Sequence, residues 1–329
     1  MKETIVMNIT RRRMLAAATL APLATGALAQ DWPQQNIRVI VPFPPGGSTD
    51  IIGRMVAAHL SKELSHPAIV ENLSGATGSI GVGVVARAKP DGHTLLIGSV
   101  GTIVSNHFAY EKLPYTMDAI APVINLAEMP NVLMVKHDLP VNSAEELVAY
   151  MKARPGQLTH GSSGLASSSH ISCELFKLRT GTSAIHVPYK GGTPMLNDLV
   201  GGVIDFSIDQ ISSSVKLIQA GRIKGLAVTS RQRSKQLPQL KTLDESLLPG
   251  FVMSPWFCVG APAGTPSAVV ERVNASLNRM LASPDVLAQL DNFGIVPVGG
   301  SAKELEDLIQ REAALMREVA ARVNLKVTS

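Results

Sequence analysis

The chain has 329 residues, 45% of them apolar, two cysteines and a formal net charge of +4. That apolar share supports a large core and argues against disorder, and two cysteines are too few for a disulfide framework. Most of the net positive charge is N-terminal. Arg11, Arg12 and Arg13 precede an uncharged run from Met14 to Ala29 that ends Ala27, Leu28, Ala29, the pattern of a cleaved export signal. Loss of residues 1–29 lowers 30 basic residues to 26 and 26 acidic residues to 25, so the net charge falls to +1. The mature chain keeps no electrostatic case for nucleic acid or an anionic membrane. The apolar run of the signal is shorter than the ~20 residues of a membrane span, so cleavage near Ala29 and a soluble exported protein are expected. The order Thr10 to Leu15 resembles a twin-arginine signal, with an ordinary secretory signal as the alternative.

Strand and helix patterns then alternate, which predicts an α/β fold of parallel sheets covered by helices. Ile37, Val39, Ile40 and Val41 read as a buried strand, and Ile51, Ile52, Met55, Val56, Leu60 and Leu64 recur at helical spacing. Between them lies VPFPPGGSTD, Val41 to Asp50. Gly46 and Gly47 permit close backbone approach, so unpaired N–H groups at the helix start can converge on a carboxylate or phosphate. A strand at Thr94 to Ile97 meets a second polar loop, Gly98 to Thr102, containing Ser99. A lobe boundary is expected near Pro130, followed by a strand at Val132 to Val135 and a helix opened by Ser143 and Glu146 as a capping box.

The strand, loop, helix arrangement recurs at Leu158 to His160 with a Gly/Ser loop, Gly161 to Ser169, and again at Ala184 to Tyr189 with Lys190, Gly191 and Gly192. Val203 to Asp209 and Gly225 to Thr229 add strands, with a helix at Ile211 to Ala220 between them. An apolar strand over Phe251 to Gly260 returns the chain to the first lobe. Thr265 with Pro266, Ser283 with Pro284, and Ser301 with Glu304 mark three helix starts, the last helix running to about Val323. Cys173 and Cys258, each among apolar neighbours, read as buried thiols.

Catalytic motifs fail in specific ways. Gly161 to Gly164 has Leu165 where a nucleophile elbow needs glycine, and Ser213 with Lys216 lacks the partner motifs of an S-x-x-K enzyme. Lys190 lacks the upstream glycine spacing of a P-loop, and Gly46, Gly47 and Gly53 do not form G-x-G-x-x-G. Eight histidines show no metal-ligand spacing. No metal and no cofactor are expected. His170 and His186 read as hydrogen-bonded structural histidines, with contact to an anion as the alternative. Asp50 reads as a first-turn helix stabiliser beside the anion loop, and Asp209 as a residue that shapes the pocket or receives a ligand amine.

These residues resemble the Bug-type periplasmic receptors, the substrate-binding proteins of tripartite tricarboxylate transporters. The resemblance covers nearly the whole mature chain. It rests on VPFPPGGSTD, ENLSGATGSIG at Glu71 to Gly81, PDGHTLL at Pro90 to Leu96, HGSSG at His160 to Gly164, HVPYKGG at His186 to Gly192, LAVTS at Leu226 to Ser230 and APAGTP at Ala261 to Pro266. It implies a two-lobed periplasmic binding protein of the Venus-flytrap, type II-like class, each lobe a largely parallel sheet flanked by helices. Lobe one would comprise residues 31–130 and 252–329, lobe two residues 131–251. Phe43 would line the pocket, Gly46, Gly47, Ser48 and Thr49 would hold one carboxylate, and Ser162, Ser167, Ser168, Lys190, Gly191 and Asp209 would complete the cleft. Asp50, Ser99, Ser163 and His170, placed on the same loops, join the candidate ligand-binding residues.

The expected function is capture of a small carboxylate, whether a di- or tricarboxylate, an aromatic acid or an acidic amino acid, by a monomer that delivers it to the membrane subunits of a transporter. A sensor protein is the alternative partner, and an exported enzyme using His170 or His186 as general base is the less favoured reading. His107, Thr116 and Met316 depart from the pattern of many relatives and bear on ligand choice rather than fold. The adjacent hydroxyls Ser167, Ser168 and Ser169 suggest a second polar group on the ligand.

Overall fold

The computed structural model describes residues 32–165, 167–189, 191–321 and 325. The expected export signal, Lys190 and the expected helix end at Val323 lie outside the described residues. Strand β1 (Ile37–Val41) buries Ile37, Val39, Ile40 and Val41, as a strand covered on both faces must. Residues 42–47 carry the chain into α1 (Ser48–Leu64), whose Ile52, Val56, Leu60 and Leu64 share one buried face. β2 (Ala68–Asn72), α2 (Ser79–Ala86) and β3 (Thr94–Ser99) follow. The polar loop expected after β3 is shorter than its composition suggests. A π-helical turn (Gly101–Ser105) begins almost at once and runs into α3 (Asn106–Ala109), the Thr102 hydroxyl accepting from Ser99 N–H at 2.9 Å.

β4 (Ile120–Glu128) and β5 (Asn131–Lys136), separated by Met129 and Pro130, lead from one sheet into the next. α4 (Ala144–Lys152), β6 (Thr159–Ser162), α5 (Ser168–Thr180), β7 (Ile185–Pro188), α6 (Gly192–Val200), β8 (Phe206–Gln210), α7 (Ile211–Gln219), β9 (Ile223–Val228) and α8 (Leu243–Ser246) build around the second sheet. β10 (Trp256–Pro262) returns to the first, followed by α9 (Ser267–Leu281), α10 (Pro284–Asn292), β11 (Val296–Gly299) and α11 (Ala302–Ala320).

The strand orders are β11-β4-β10-β3-β1-β2 and β7-β6-β8-β5-β9. The chain is a two-lobed α/β protein, but the sheets are mixed rather than largely parallel. β1 runs parallel to β2 and β3, and β6 parallel to β7 and β8; β10 is antiparallel to β3 and β4, β11 to β4, and β5 to β8 and β9. The crossings between sheets impose this. β5 starts beside the C-terminal ends of β8 and β9, pairing Asn131 with Gln210 and Val132 with Val228, and so must run away from the junction that those strands approach. β10 enters the first sheet in the same way, with Phe257 opposite Ser99 at the end of β3.

The two crossings are bonded to each other. Met129 N–H donates to Pro255 O at 2.7 Å, Thr229 N–H to Asn131 O at 2.9 Å and Met253 N–H to Thr229 O at 2.9 Å. Because residues 251–255 serve this junction, the strand expected from Phe251 begins only at Trp256. One hydrophobic core joins Ile40 and Leu96 of the first sheet to Leu133 and Phe176 on the second; separate cores cover the far face of each sheet. Cys173 and Cys258 are buried free thiols.

The capping box at Ser301 and Glu304 forms as expected. At α4 the Ser143 hydroxyl accepts from Glu146 N–H, while the Glu146 carboxylate accepts from Asn142 N–H instead of Ser143 N–H. Thr265 does not cap α9. Its hydroxyl donates to Pro262 O at 2.7 Å and the helix starts at Ser267.

Candidate functional site

A cavity of about 480 Å³ lies where the strand ends of the two sheets meet. On the side of the first sheet it is bounded by Phe43, Gly47, Ser48 and Thr49 from the β1–α1 loop and by Ser99 at the end of β3; from the second come Ser167 and Ser168 at the start of α5. The N-terminus of α1 has no side-chain cap, since Gly47 occupies the capping position. Orphan N–H groups of the first turn, with the positive end of the helix dipole, therefore remain available to an anion. A Cβ on Gly47 would meet nothing within 4 Å, so glycine there leaves open volume beside these donors.

Asp50 is not part of the cavity wall. Its carboxylate accepts from Gly46 N–H at 2.9 Å, Arg54 Nε at 2.9 Å and Asn72 Nδ2 at 2.9 Å, and Asn72 also donates to Phe43 O at 3.0 Å. The Arg54 guanidinium, aided by these N–H donors and opposed by burial, holds the carboxyl down to about 2. Asp50 thus ties both ends of the loop to α1 and β2. Gly46, with φ of +91°, gives its N–H to this brace and is turned from the cavity.

The serines opposite are largely engaged with one another. Ser169 Oγ lies 2.8 Å from Ser163 Oγ and 2.9 Å from Ser167 Oγ; Ser167 donates to Gly164 O and caps α5 by accepting from His170 N–H. Ser162 Oγ is 2.6 Å from His186 Nε2 and outside the cavity wall. His170 lies behind that wall, its ring stacked 4.0 Å from His186, which stacks 4.8 Å from His160. Burial lowers all three imidazoles, His170 to about 4 and His186 to about 3, while Glu174 opposes the shift. His160 Nε2 sits 3.2 Å from Glu174 Oε1.

Gly191 N–H donates to Ser163 O at 3.1 Å, joining the Gly/Ser loop to the start of α6. A Cβ on Gly192 would come within 2.9 Å of Asp209 Oδ2, which places that buried carboxylate against the α6 start rather than on the cavity wall. Burial pushes Asp209 up to about 6. Lys190 lies outside the described residues.

Several cavity residues carry no loop signature in the sequence. Ile171, Met253, Phe257 and Met316 form apolar wall, and Asn106 and Gln210 supply neutral amides. Glu312 and Met316 arrive from α11, far along the chain from β1, on a helix whose amphipathic pattern reads only as core packing. Met316 alone was marked in the sequence, as a departure from relatives. Among the described residues, Glu312 is the one ionisable side chain on the cavity wall. Burial, with repulsion from Glu128, pushes its carboxyl up to about 7 against the pull of Arg311.

The sequence model described as "Tripartite tricarboxylate transporter family receptor" matches residues 52–325. The chain belongs to this family. Within this receptor family, the protein BugT of Bordetella pertussis is 35% identical over 325 residues, spanning 96% of this chain and all of that one. A solved R. palustris structure with adipate is 38% identical, with a TM-score of 0.73, covering 88% of this chain and 98% of that one. MatC from Rhodopseudomonas palustris with bound malate is 32% identical, with a TM-score of 0.70 over 88% and 99%. The receptor is a solute-binding protein, not an enzyme. No helix among the described residues is long and apolar enough to cross a membrane.

Proposed function

We propose that this receptor works in the periplasm, closes two lobes around a small carboxylate and hands it to the membrane subunits of a tripartite transporter. The observation that carries the reading is the uncapped N-terminus of α1 at Gly47, Ser48 and Thr49, opening on the cavity between the sheets. Backbone N–H groups and hydroxyls in a low-dielectric cleft hold a carboxylate through charge-assisted hydrogen bonds without an arginine clamp. The apolar wall then takes the carbon skeleton. Lobe one comprises residues 31–130 and 252–329 and lobe two residues 131–251, with closure about the paired crossings. Adipate and malate bound to relatives set the size of ligand to try first.

The test is a thermal-shift screen of the mature protein against mono-, di- and tricarboxylates, aromatic acids and acidic amino acids. A ligand that binds only the folded state adds RT ln(1 + [L]/Kd), about 2.7 kcal/mol at a hundredfold excess over Kd. A positive shift from at least one acid class is expected. No shift from any carboxylate rejects the reading.

A further inference from the structure

The carboxylate reading leaves open what the ligand carries at its other end, and the cavity wall is asymmetric in a way that bears on it. The α1 end offers N–H donors and the positive helix pole. From α11 the same wall carries Glu312, an acceptor when ionised, and no described cation on the wall balances it. We propose that the ligand is a monocarboxylate whose second polar group is a neutral or cationic hydrogen-bond donor directed at Glu312, making Glu312 a specificity-determining residue. The inference rests on the carboxylate reading of the same cavity and deepens it.

A second anionic group beside Glu312 would place like charges together in a partly dehydrated space, which opposes binding unless one is protonated. An amide, hydroxyl or ammonium placed there donates to the carboxylate and meets no such opposition. The surroundings of Glu312 do not relieve it of this role. Glu312 also borders a second cavity of about 640 Å³, shared with Glu128 at the end of β4, Arg231 beyond β9, Asp244 of α8, and Glu304 and Arg311 of α11. Carboxylates outnumber guanidiniums on that side, so the neighbourhood does not turn the cavity into a site for two anions. Its carboxyl is also pushed up to about 7, so a diacid gains access only as the medium becomes acidic enough to protonate it.

The experiment uses matched sets of equal chain length: succinate, its monoamide and butyrate; adipate, its monoamide and hexanoate. Affinities are measured by calorimetry at about pH 8 and again at about pH 6, on either side of the Glu312 titration. At the higher pH the monoamide of the better-fitting length is expected to bind about tenfold or more tightly than both its diacid and its apolar counterpart, a tenfold ratio being about 1.4 kcal/mol. The diacid gains on the monoamide at the lower pH. Glu312→Gln raises diacid affinity at the higher pH by about tenfold and removes that pH dependence. The melting temperature of the unliganded variant reports separately on folding, and it is expected to hold or rise because repulsion with Glu128 is gone.

A diacid that binds as tightly as its monoamide at the higher pH overturns the inference, as does a Glu312→Gln protein with an unchanged diacid-to-monoamide ratio. These results leave the carboxylate reading intact. Binding of none of the six, together with no shift from any acid class in the thermal screen, removes both.

Discussion

The Asp50 carboxylate accepts the Gly46 N–H at 2.9 Å, closing the β1–α1 loop on the first turn of its own helix. This bond and those from Arg54 and Asn72 fix the turn that leaves Gly47, Ser48 and Thr49 on the cavity wall. Asp50→Ala should therefore act on binding without touching the ligand. It removes the acceptor of half-buried Asn72 and of Gly46 and Arg54, which are exposed and can turn to water, with an expected loss of about 1 kcal/mol in stability. Affinity for the best acid in the screen should fall about tenfold, because a mobile loop must be ordered on binding. Urea unfolding and calorimetry check the two effects; an unchanged affinity would show that the loop holds its shape without the brace.

Gly47→Val tests the anion loop from the other side. The backbone at Gly47 is extended, with φ of −83° and ψ of 171°, a conformation valine adopts readily. A Cβ at this position has no atom within 4 Å, so the valine branches from open volume on the cavity wall. The variant should melt within a few degrees of the parent yet lose the ligand-induced shift. Retained binding would place the carboxylate elsewhere in the cavity.

The parts of the fold legible in sequence were those governed by local rules: β1, the amphipathic face of α1 and the capping box of α11. Strand direction was not among them, since whether β5 and β10 run with or against their neighbours is decided by where the chain crosses between sheets. The candidate site divides in the same way. Phe43, Gly47, Ser48, Thr49, Ser99, Ser167 and Ser168 sit on loops with composition signals and come together on the cavity wall. Asp50, Ser162, Ser163, His170 and Asp209 lie on or beside those loops but off the cavity wall, because tertiary partners hold them elsewhere: Gly46, Arg54 and Asn72 at Asp50, His186 at Ser162 and His170, Ser169 at Ser163, and the α6 start at Asp209. Glu312 was invisible because a half-buried glutamate on an amphipathic helix looks like any surface glutamate until tertiary packing encloses it.

The stacked histidines make stability depend on acidity with a definite sign. His186 is held neutral, at about 3 in the fold against roughly 6.5 when unfolded. The unfolded chain therefore takes up the proton first. The contribution is fully present above about pH 6.5 and is lost as pH falls toward the folded value. Asp209, raised to about 6, and Glu312, raised to about 7, bias the opposite way, so the total slope does not isolate the imidazoles. A difference between proteins does. His186→Gln should lose less stability than the parent between about pH 7 and pH 5, by on the order of 1–2 kcal/mol. Chemical unfolding at both pH values measures this; equal losses would mean the His186 ring is already hydrated or protonated in the fold.

Thr229 supplies the last test, at the paired crossings. Its buried hydroxyl lies 2.7 Å from Met253 O, to which it donates, and accepts from Asn131 N–H at 3.2 Å, while its own N–H donates to Asn131 O. One side chain thus bonds the outgoing strand at β5 to the returning segment before β10. Thr229→Val keeps the shape and removes the hydroxyl, leaving a buried N–H and a carbonyl short of a partner, with an expected loss of about 1–3 kcal/mol. If closure turns about this junction, ligand affinity should change together with stability, because the free energy between open and closed states depends on bonds made there. Equilibrium unfolding gives the first quantity and calorimetry the second. A loss of stability with unaltered affinity would assign Thr229 to the fold alone and move the pivot to another part of the crossings.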